Sequence, residues 1–135
     1  MKVCKACGKE LERRINRKVY CDKSCYQGFE YKVFIKRWLS GLEQGTRGKT
    51  ATSSRIKKYL IEIRGNKCEK CGWCEVNPTT NKVPIELEHI DGIWNNNKIE
   101  NLILLCPNCH SLTHTYRSLN NGSGRTSRKF LKFGV

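Results

Sequence analysis

Eight of the nine cysteines in this chain of 135 residues stand in four close pairs, and this pattern limits the folds that the chain can adopt. The sequence shows no apolar leader of the signal-peptide type and no run of about 18 apolar residues, so we expect a cytoplasmic protein that is neither secreted nor bound to a membrane. In a reducing compartment, close cysteine pairs bind metal more often than they form disulfides. Two pairs together supply the thiolates that structural zinc prefers, so the sequence predicts two structural zinc ions.

The first two pairs form a compact set near the start of the chain: Cys4, Cys7, Cys21 and Cys25. A loop of hairpin size separates the pairs, and Gly8 suits a tight turn after the second cysteine. We therefore predict a zinc knuckle over residues 1–25, which folds a segment too small to have a core of its own. The loop between the pairs is basic, and the residues expected to contact phosphates there are Arg13, Arg14, Arg17 and Lys18.

The second set joins two distant pairs: Cys68 with Cys71, and Cys106 with Cys109. The spacing within each pair is typical of zinc ligands. Cys74 offers an alternative, since the spacing from Cys71 to Cys74 is equally good. We favour Cys68, because it directly follows the end of a predicted helix and leaves Cys74 as a free thiol.

Residues 26–66 are predicted to form basic helices and a linker. Apolar residues recur at helical spacing from Tyr26 to about Glu43, which predicts an amphipathic helix with a packing face. The glycine-rich and hydroxyl-rich stretch 41–54 is typical of a flexible basic linker. Ser53 or Ser54 then caps a second helix to about Arg64, which ends at Gly65-Asn66.

The charge is large and unevenly distributed. The formal net charge is +14, and residues 1–66 carry 17 lysines and arginines against 6 acidic residues. This excess indicates a polyanionic partner, most simply nucleic acid, and a solvated basic surface is the alternative. We expect DNA binding by residues 26–66, and the basic tail at 119–135 is either a frayed end or an arm that orders on nucleic acid. The further expected DNA-binding residues are Arg47, Lys49, Arg55, Lys57, Lys58, Arg125 and Arg128.

All three histidines fall in one window, with this pattern: Glu88-His89, Asn101-Leu102, Cys106-x2-Cys109-His110 and His114. Alternating apolar and polar residues predict a strand from Val83 to His89, followed by a loop over 90–100 and a short apolar strand over 102–105. Pro107 favours the start of a helix that runs to about Ser118. On such a helix, His110 and His114 would point the same way.

These residues resemble the HNH, or ββα-metal, nuclease family, and the resemblance covers roughly residues 68–117. It implies a small α+β fold, in which a zinc-stabilised ββα-metal nuclease domain over residues 67–118 is preceded by the zinc knuckle and the helices. It also implies an endonuclease that hydrolyses DNA phosphodiester bonds with a single catalytic divalent metal, most simply Mg or Mn.

The resemblance also implies a role for each matching residue. His89 corresponds to the general base that takes a proton from the attacking water. Glu88 stands where the family commonly has Asp, a ligand of the catalytic metal. Asn101 corresponds to the asparagine that braces the loop and orients the base, and His110 and His114 correspond to metal-ligating histidines.

Other interpretations of the same residues stay open at this point. The chain could be a noncatalytic zinc-containing DNA-binding protein, or a nuclease of the same fold that cuts RNA. His110 or His114 could replace a cysteine in the second zinc site. The expected partner is double-stranded DNA, bound by a monomer or a homodimer, in the nucleoid or in a phage-infected cell. Restriction, mobile-element and phage packaging roles are all compatible with the sequence.

Overall fold

The computed structural model describes residues 2–11, 19–48 and 51–120. Several residues that the sequence predicts to bind DNA lie outside the described residues: Arg13, Arg14, Arg17, Lys18, Lys49, Arg125 and Arg128. The chain divides into two compact units, Met1–Glu43 and Gln44–Val135. None of the helices in the described ranges has the length and the apolar character that crossing a membrane requires.

Within its described residues, the first unit has an N-terminal turn and helix α1, which spans Lys23–Leu39. The helix begins earlier than the predicted Tyr26 because Asp22 caps it, with the carboxylate oxygen accepting a hydrogen bond from the Cys25 amide at 2.7 Å. The last cysteine of the first set therefore lies in the first turn of α1.

The packing face of α1 is narrower than the apolar stripe in the sequence. Ile35 and Trp38 are buried, as expected. The helix ends at Leu39 rather than near Glu43, and Leu39 and Leu42 are 47% and 69% exposed. The sequence therefore predicts the existence of this helix and its central contacts, but not its ends.

The second unit is a small α+β arrangement with two separate two-stranded antiparallel sheets. Its elements are β1 (Thr46–Arg47), β2 (Ala51–Thr52), α2 (Ser54–Arg64), β3 (Glu86–His89), β4 (Leu102–Leu105) and α3 (Pro107–Ser111), with 3-10 turns at Ile99–Asn101 and Arg117–Leu119. Strand β3 pairs with β4 so that Glu86 lies opposite Leu105 and His89 lies opposite Leu102.

The prediction of a flexible linker over residues 41–54 is wrong for its described part. Strands β1 and β2 pair there as a hairpin, with Thr46 opposite Thr52. The amide of Ser53 donates to the carbonyl of Gly45 at 2.7 Å and closes the base of the hairpin. β-branched threonines favour extended backbone, and this preference prevails over the flexible character of the neighbouring glycines.

Helix α2 confirms the second predicted helix. The Ser53 hydroxyl accepts a hydrogen bond from the Arg55 amide at 3.3 Å, and Gly65 forms the C-cap. Ile56 and Leu60 are fully buried on the side that packs against β4. They form a core with three other fully buried residues: Ile85, Leu102 and Leu104.

Strand β4 is also bonded to the loop that carries the third cysteine pair. The Glu69 amide donates to the Leu104 carbonyl at 2.8 Å, and the Glu69 carboxylate accepts from the Leu104 amide at 2.5 Å. Arg64, at the end of α2, donates to the carbonyl of Leu102 at 2.7 Å and contacts the Glu69 carboxylate at 3.3 Å. These bonds join helix, cysteine loop and strand into one framework.

Helix α3 is shorter than the sequence predicts, since it ends at Ser111 rather than near Ser118. The Ser111 hydroxyl donates to the Asn108 carbonyl at 2.7 Å, and the Thr113 hydroxyl donates to the His110 carbonyl at 2.9 Å. Such bonds from short side chains to the backbone compete with helical hydrogen bonds and favour turns. The helix therefore stops shortly after His110.

We expect Leu60→Ala to lower the free energy of unfolding by about 2–5 kcal/mol, because it leaves a cavity between α2 and β4. Ile63 lies on the same helix but is 51% exposed, so Ile63→Ala should change that free energy by about 0.5 kcal/mol or less. Chemical denaturation of the zinc-loaded protein measures both values. Equal effects of the two substitutions would contradict the described core.

Candidate active site and metal centres

Each set of four paired cysteines converges on one place within its own unit. The sulfurs of each set lie within 4.8 Å of one another: Cys4, Cys7, Cys21 and Cys25 in the first, and Cys68, Cys71, Cys106 and Cys109 in the second. Individual separations are 3.6 Å from Cys7 to Cys21 and 3.8 Å from Cys71 to Cys106. A tetrahedron with metal–sulfur bonds of about 2.3 Å separates its sulfurs by about 3.8 Å. Both sets therefore have the spacing and the chemistry to hold zinc.

The first pair of each set is built on the same backbone turn. The amide of the first cysteine donates to a carbonyl five residues later, at 2.8 Å for Cys4 and 2.9 Å for Cys68. The amide of the glycine after the second cysteine donates back to the first cysteine's carbonyl at 2.9 Å in both sets. These glycines, Gly8 and Gly72, have φ of +74° and +80°, a conformation that other residues adopt only with strain. The repeated turn directs both sulfurs of a pair to one side.

The structure separates Cys68 from Cys74. Cys68 is buried and belongs to the group of four sulfurs, whereas Cys74 is exposed and lies outside it. The geometry therefore favours the predicted pair Cys68 and Cys71 over the alternative pair Cys71 and Cys74.

Thiols within each set differ in pKa. Burial alone would raise the pKa of Cys4 and of Cys68, but hydrogen bonds from neighbouring backbone amides lower both to about 6. Burial and hydrogen bonds with the neighbouring thiols raise the pKa of Cys109 to about 12. Holding all the sulfurs of one set as thiolates at neutral pH therefore requires a cation among them.

His110, on α3, lies between two carboxylates of strand β3. Its Nδ1 contacts Glu86, and its Nε2 lies 2.6 Å from Oε2 of Glu88. Residues two apart on a strand point to the same face, which brings both carboxylates to the helix. The other oxygen of Glu88 accepts a hydrogen bond from the Thr115 hydroxyl at 3.1 Å, so both oxygens of this carboxylate have a partner.

Glu86 is a site residue that the family resemblance does not supply. The signal for it is in the sequence, because the alternation that predicts β3 places Glu86 and Glu88 on one face. The two carboxylates differ in depth: the side chain of Glu86 is 48% exposed and that of Glu88 is 13% exposed. Glu86 is therefore the outer carboxylate beside His110, and Glu88 the inner one.

A cavity of about 430 Å³ opens beside these groups. Its lining includes carboxylates, imidazoles and aromatic rings: Glu86, Glu88, His89, His110, Trp94 and Tyr116. Arg117 also lines the cavity, and its guanidinium lies 5.0 Å from the centre of the Tyr116 ring. The cavity thus combines ligands for a cation with a cationic group suited to a phosphate.

His114 does not share this cavity. It is exposed and lines a second cavity, of about 380 Å³, with Lys70, Ile103 and Leu112. The expectation that His110 and His114 point the same way on a helix is wrong, because α3 ends between them. A role for His114 as a further metal ligand stays a prediction.

Asn101 ties the two ends of the loop between β3 and β4 together. Its side-chain amide donates to Asp91 Oδ1 at 2.9 Å and to the Asn96 carbonyl at 2.8 Å, and its Oδ1 accepts from the Asp91 amide at 3.1 Å. Partial burial alone would raise the pKa of Asp91, but hydrogen bonds from Asn96, the Ile93 amide and Asn101 lower it below its usual value. The loop is thus closed around an ionised carboxylate.

His89, at the end of β3, contacts the buried residue Asn97 of the same loop. The distance from His89 Nε2 to Asn97 Oδ1 is 2.7 Å. The hydroxyl of Thr52, on strand β2, lies 3.2 Å from the same oxygen and 3.5 Å from His89 Nε2. The imidazole therefore contacts both the loop, through Asn97, and the hairpin that precedes α2, through Thr52.

The residues around His110 fit a divalent cation in chemistry. Among the described residues, two groups bring three or more candidate ligand atoms within 4.8 Å of one another, and both are the cysteine sets. The predicted metal ligands Glu88, His110 and His114 do not form such a group. Carboxylate oxygens and an imidazole nitrogen nonetheless suit Mg, Mn or another first-row ion. An imidazole that donates from both nitrogens satisfies Glu86 and Glu88, and a divalent cation held by Glu88 and His110 would take the place of the proton on Nε2.

The expected DNA-binding residues within the described ranges all lie near the start of the second unit. Arg47 is on β1, and Arg55, Lys57 and Lys58 are on α2. Arg47, Arg55 and Lys58 are exposed, and Lys57 is partly exposed. These side chains are positioned to meet solvent or a polyanion.

Among curated proteins, the chain is similar to the H-N-H endonuclease F-TflIV of Escherichia phage T5, with 37% identity over 96 residues. The matched region is 67% of this chain and 40% of the relative, so the chain spans well under half of the length of that protein. No protein-family model matches the chain, and no solved structure matches it.

We expect Cys106→Ser to reduce the zinc content of the purified protein from two ions per chain to one, because it removes a ligand from one of the two cysteine sets. The exposed Cys74 is the matched control, and Cys74→Ser should retain both ions. Elemental analysis after extensive dialysis measures the metal content. Loss of zinc from the Cys74 variant would contradict the assignment of ligands.

Proposed function

Because this chain belongs to the H-N-H endonuclease family, we propose that it hydrolyses DNA phosphodiester bonds at the cavity shared by His89 and His110. The observation that carries the proposal is the contact of His110 with Glu86 and Glu88, in the same cavity as His89. Hydrolysis of a phosphodiester requires a base for the attacking water and a positive charge near the phosphate. This cavity offers residues for both tasks.

Glu88 and His110 are the residues that would hold one catalytic divalent ion, most simply Mg or Mn. When bound, such an ion supplies the positive charge that stabilises the phosphate and the departing oxygen. Glu86 would accept the Nδ1 proton of His110 and so leave Nε2 as the ligating nitrogen. A carboxylate that fixes a histidine in this way is a common partner of metal-bound imidazole.

His89 is the general base in this proposal. A neutral imidazole has one ring nitrogen with a free lone pair, and that nitrogen can take a proton from water. Asn101 keeps the loop after His89 closed through its bonds to Asp91 and Asn96. The roles of His89 and Asn101 are thus compatible with the contacts around them.

Nucleic acid is the substrate class that the charge distribution supports, and DNA is the substrate that we propose. The formal net charge of +14 favours a polyanion. Within the second unit, Arg47, Arg55, Lys57 and Lys58 would contact phosphates, which makes binding strongly dependent on salt. The zinc sites serve as scaffolds in this proposal and take no part in hydrolysis.

We expect His89→Ala to slow cleavage of plasmid DNA by at least about a hundredfold, because it removes the proton acceptor. Zinc content, DNA binding and the unfolding transition should stay close to those of the wild type. Products with mapped 5′-phosphate and 3′-hydroxyl ends would agree with the family resemblance. Undiminished cleavage by His89→Ala would contradict the role of His89 as the base. Cleavage of labelled RNA but not of DNA would contradict the proposal that DNA is the substrate.

His114→Ala, assayed in parallel, tests the remaining prediction that His114 ligates the metal.

We expect Glu86→Gln to raise the Mg or Mn concentration needed for half-maximal cleavage about tenfold to a hundredfold, because it removes the carboxylate that orients His110. Glu75 is exposed in the same unit, so Glu75→Gln, which removes the same charge, is the matched control. A metal titration of the cleavage rate gives both values. An unchanged metal requirement for Glu86→Gln would show that Glu86 does not position His110.

A further inference from the structure

Asn97 is the buried polar side chain among the described residues, with an exposed fraction of 4%. It is the last of three consecutive asparagines in the loop after His89. A buried amide is costly unless its donors and acceptors find partners. The partners of Asn97 therefore indicate how the amide is oriented and which protons its neighbours carry.

The orientation of the Asn97 amide is fixed by a backbone carbonyl. Its Nδ2 lies 3.1 Å from the carbonyl oxygen of Gln44, at the entrance to the β1–β2 hairpin. A carbonyl oxygen only accepts hydrogen bonds, so the group facing it has to be the NH₂ of the amide. Oδ1 consequently faces the opposite partners, the Thr52 hydroxyl at 3.2 Å and His89 Nε2 at 2.7 Å.

This orientation decides where the proton of His89 lies. An amide oxygen cannot donate, so the short contact with Asn97 is a hydrogen bond only if His89 Nε2 carries the proton. In a neutral imidazole the other nitrogen is then the acceptor. Nδ1 is therefore the nitrogen of His89 that is able to take a proton.

We propose that Asn97 and Thr52 are positioning residues that hold His89 in the tautomer with the proton on Nε2 and the lone pair on Nδ1. This inference rests on the proposed function of His89 as the base. Asn97 binds the ring directly, and Thr52 donates to the same amide oxygen and limits its rotation. Thr52 and Gln44 both lie before α2, so the chain upstream of the nuclease motif contributes to the state of the base.

The tautomer itself is measurable without any cleavage. In the zinc-loaded protein with ¹⁵N-labelled histidine, long-range proton–nitrogen correlations at alkaline pH distinguish the two tautomers. The signals of His89 are those that disappear in His89→Ala. The wild type should show the proton on Nε2, and Asn97→Ala should shift the ring towards a mixture of tautomers. A proton on Nδ1 in the wild type, or an unchanged pattern in Asn97→Ala, would overturn the proposal.

Kinetics of the variants separate positioning from folding. Thr52→Val should lower kcat about threefold to tenfold and leave KM unchanged, because it removes one hydrogen bond to the amide that holds the base. Thr52→Ser keeps the hydroxyl and should restore the wild-type rate. Thr46, opposite Thr52 in the hairpin, is the matched control, and Thr46→Val should leave kcat unchanged. Equal losses of kcat in Thr46→Val and Thr52→Val would contradict a specific role for Thr52.

Asn97→Ala is the stronger change, and we expect it to lower kcat about a hundredfold by misplacing the base. The proposal is supported if Asn97→Ala binds DNA and zinc as the wild type does but has both the lower kcat and the altered tautomer. Full activity of His89→Ala would refute the proposed role of His89 as the base. The tautomer measurement would still show whether Asn97 determines the position of the proton on His89. The two failures are therefore distinguishable.

Discussion

The convergence of four sulfurs in the second unit is the constraint on which the candidate site depends. Helix α3 has only 5 residues and β3 and β4 form only a two-stranded sheet, and neither is stable in isolation. Cys106 caps α3 through a hydrogen bond from the Cys109 amide to its sulfur at 3.4 Å. His110 directly follows Cys109, so a metal ion bound by these sulfurs would also fix the helix turn that presents its imidazole to Glu86 and Glu88.

The candidate site contains both signs of charge, since Arg117 lines the same cavity as the carboxylates, whereas the chain as a whole is strongly basic. The chain carries a net charge of +14, yet two carboxylates flank His110 in the cavity. An unscreened pair of carboxylates repels a phosphate, so the hydrolysis that we propose would need a cation bound beside them. In the proposed mechanism the basic residues on β1 and α2 would attract the polyanion, and Glu88 and His110 would hold the metal. Attraction and chemistry would then involve different residues of one unit.

Patterns in the sequence predict the parts of this structure that depend on local chemistry. Cysteine spacing predicts both four-sulfur groups, apolar periodicity predicts α2, and a short apolar run predicts β4. The early end of α3 was not predictable from periodicity, because the hydroxyls of Ser111 and Thr113 turn back to the backbone. The hairpin of β1 and β2 was not predictable for another reason. A two-residue strand has no periodicity, and the contacts of Gln44 and Thr52 are made with Asn97, which is distant in the sequence. The position of Glu86 on the same face as Glu88, in contrast, was predictable from the alternation of apolar and polar residues in β3.

The hairpin and the loop after His89 depend on each other. The buried amide of Asn97 bonds to Gln44 and Thr52 on either side of the hairpin, and the backbone of Thr52 pairs with that of Thr46. Arg47, an expected DNA contact, lies on the same hairpin. If Arg47 binds a phosphate as proposed, substrate contact and the orientation of His89 would involve the same hairpin.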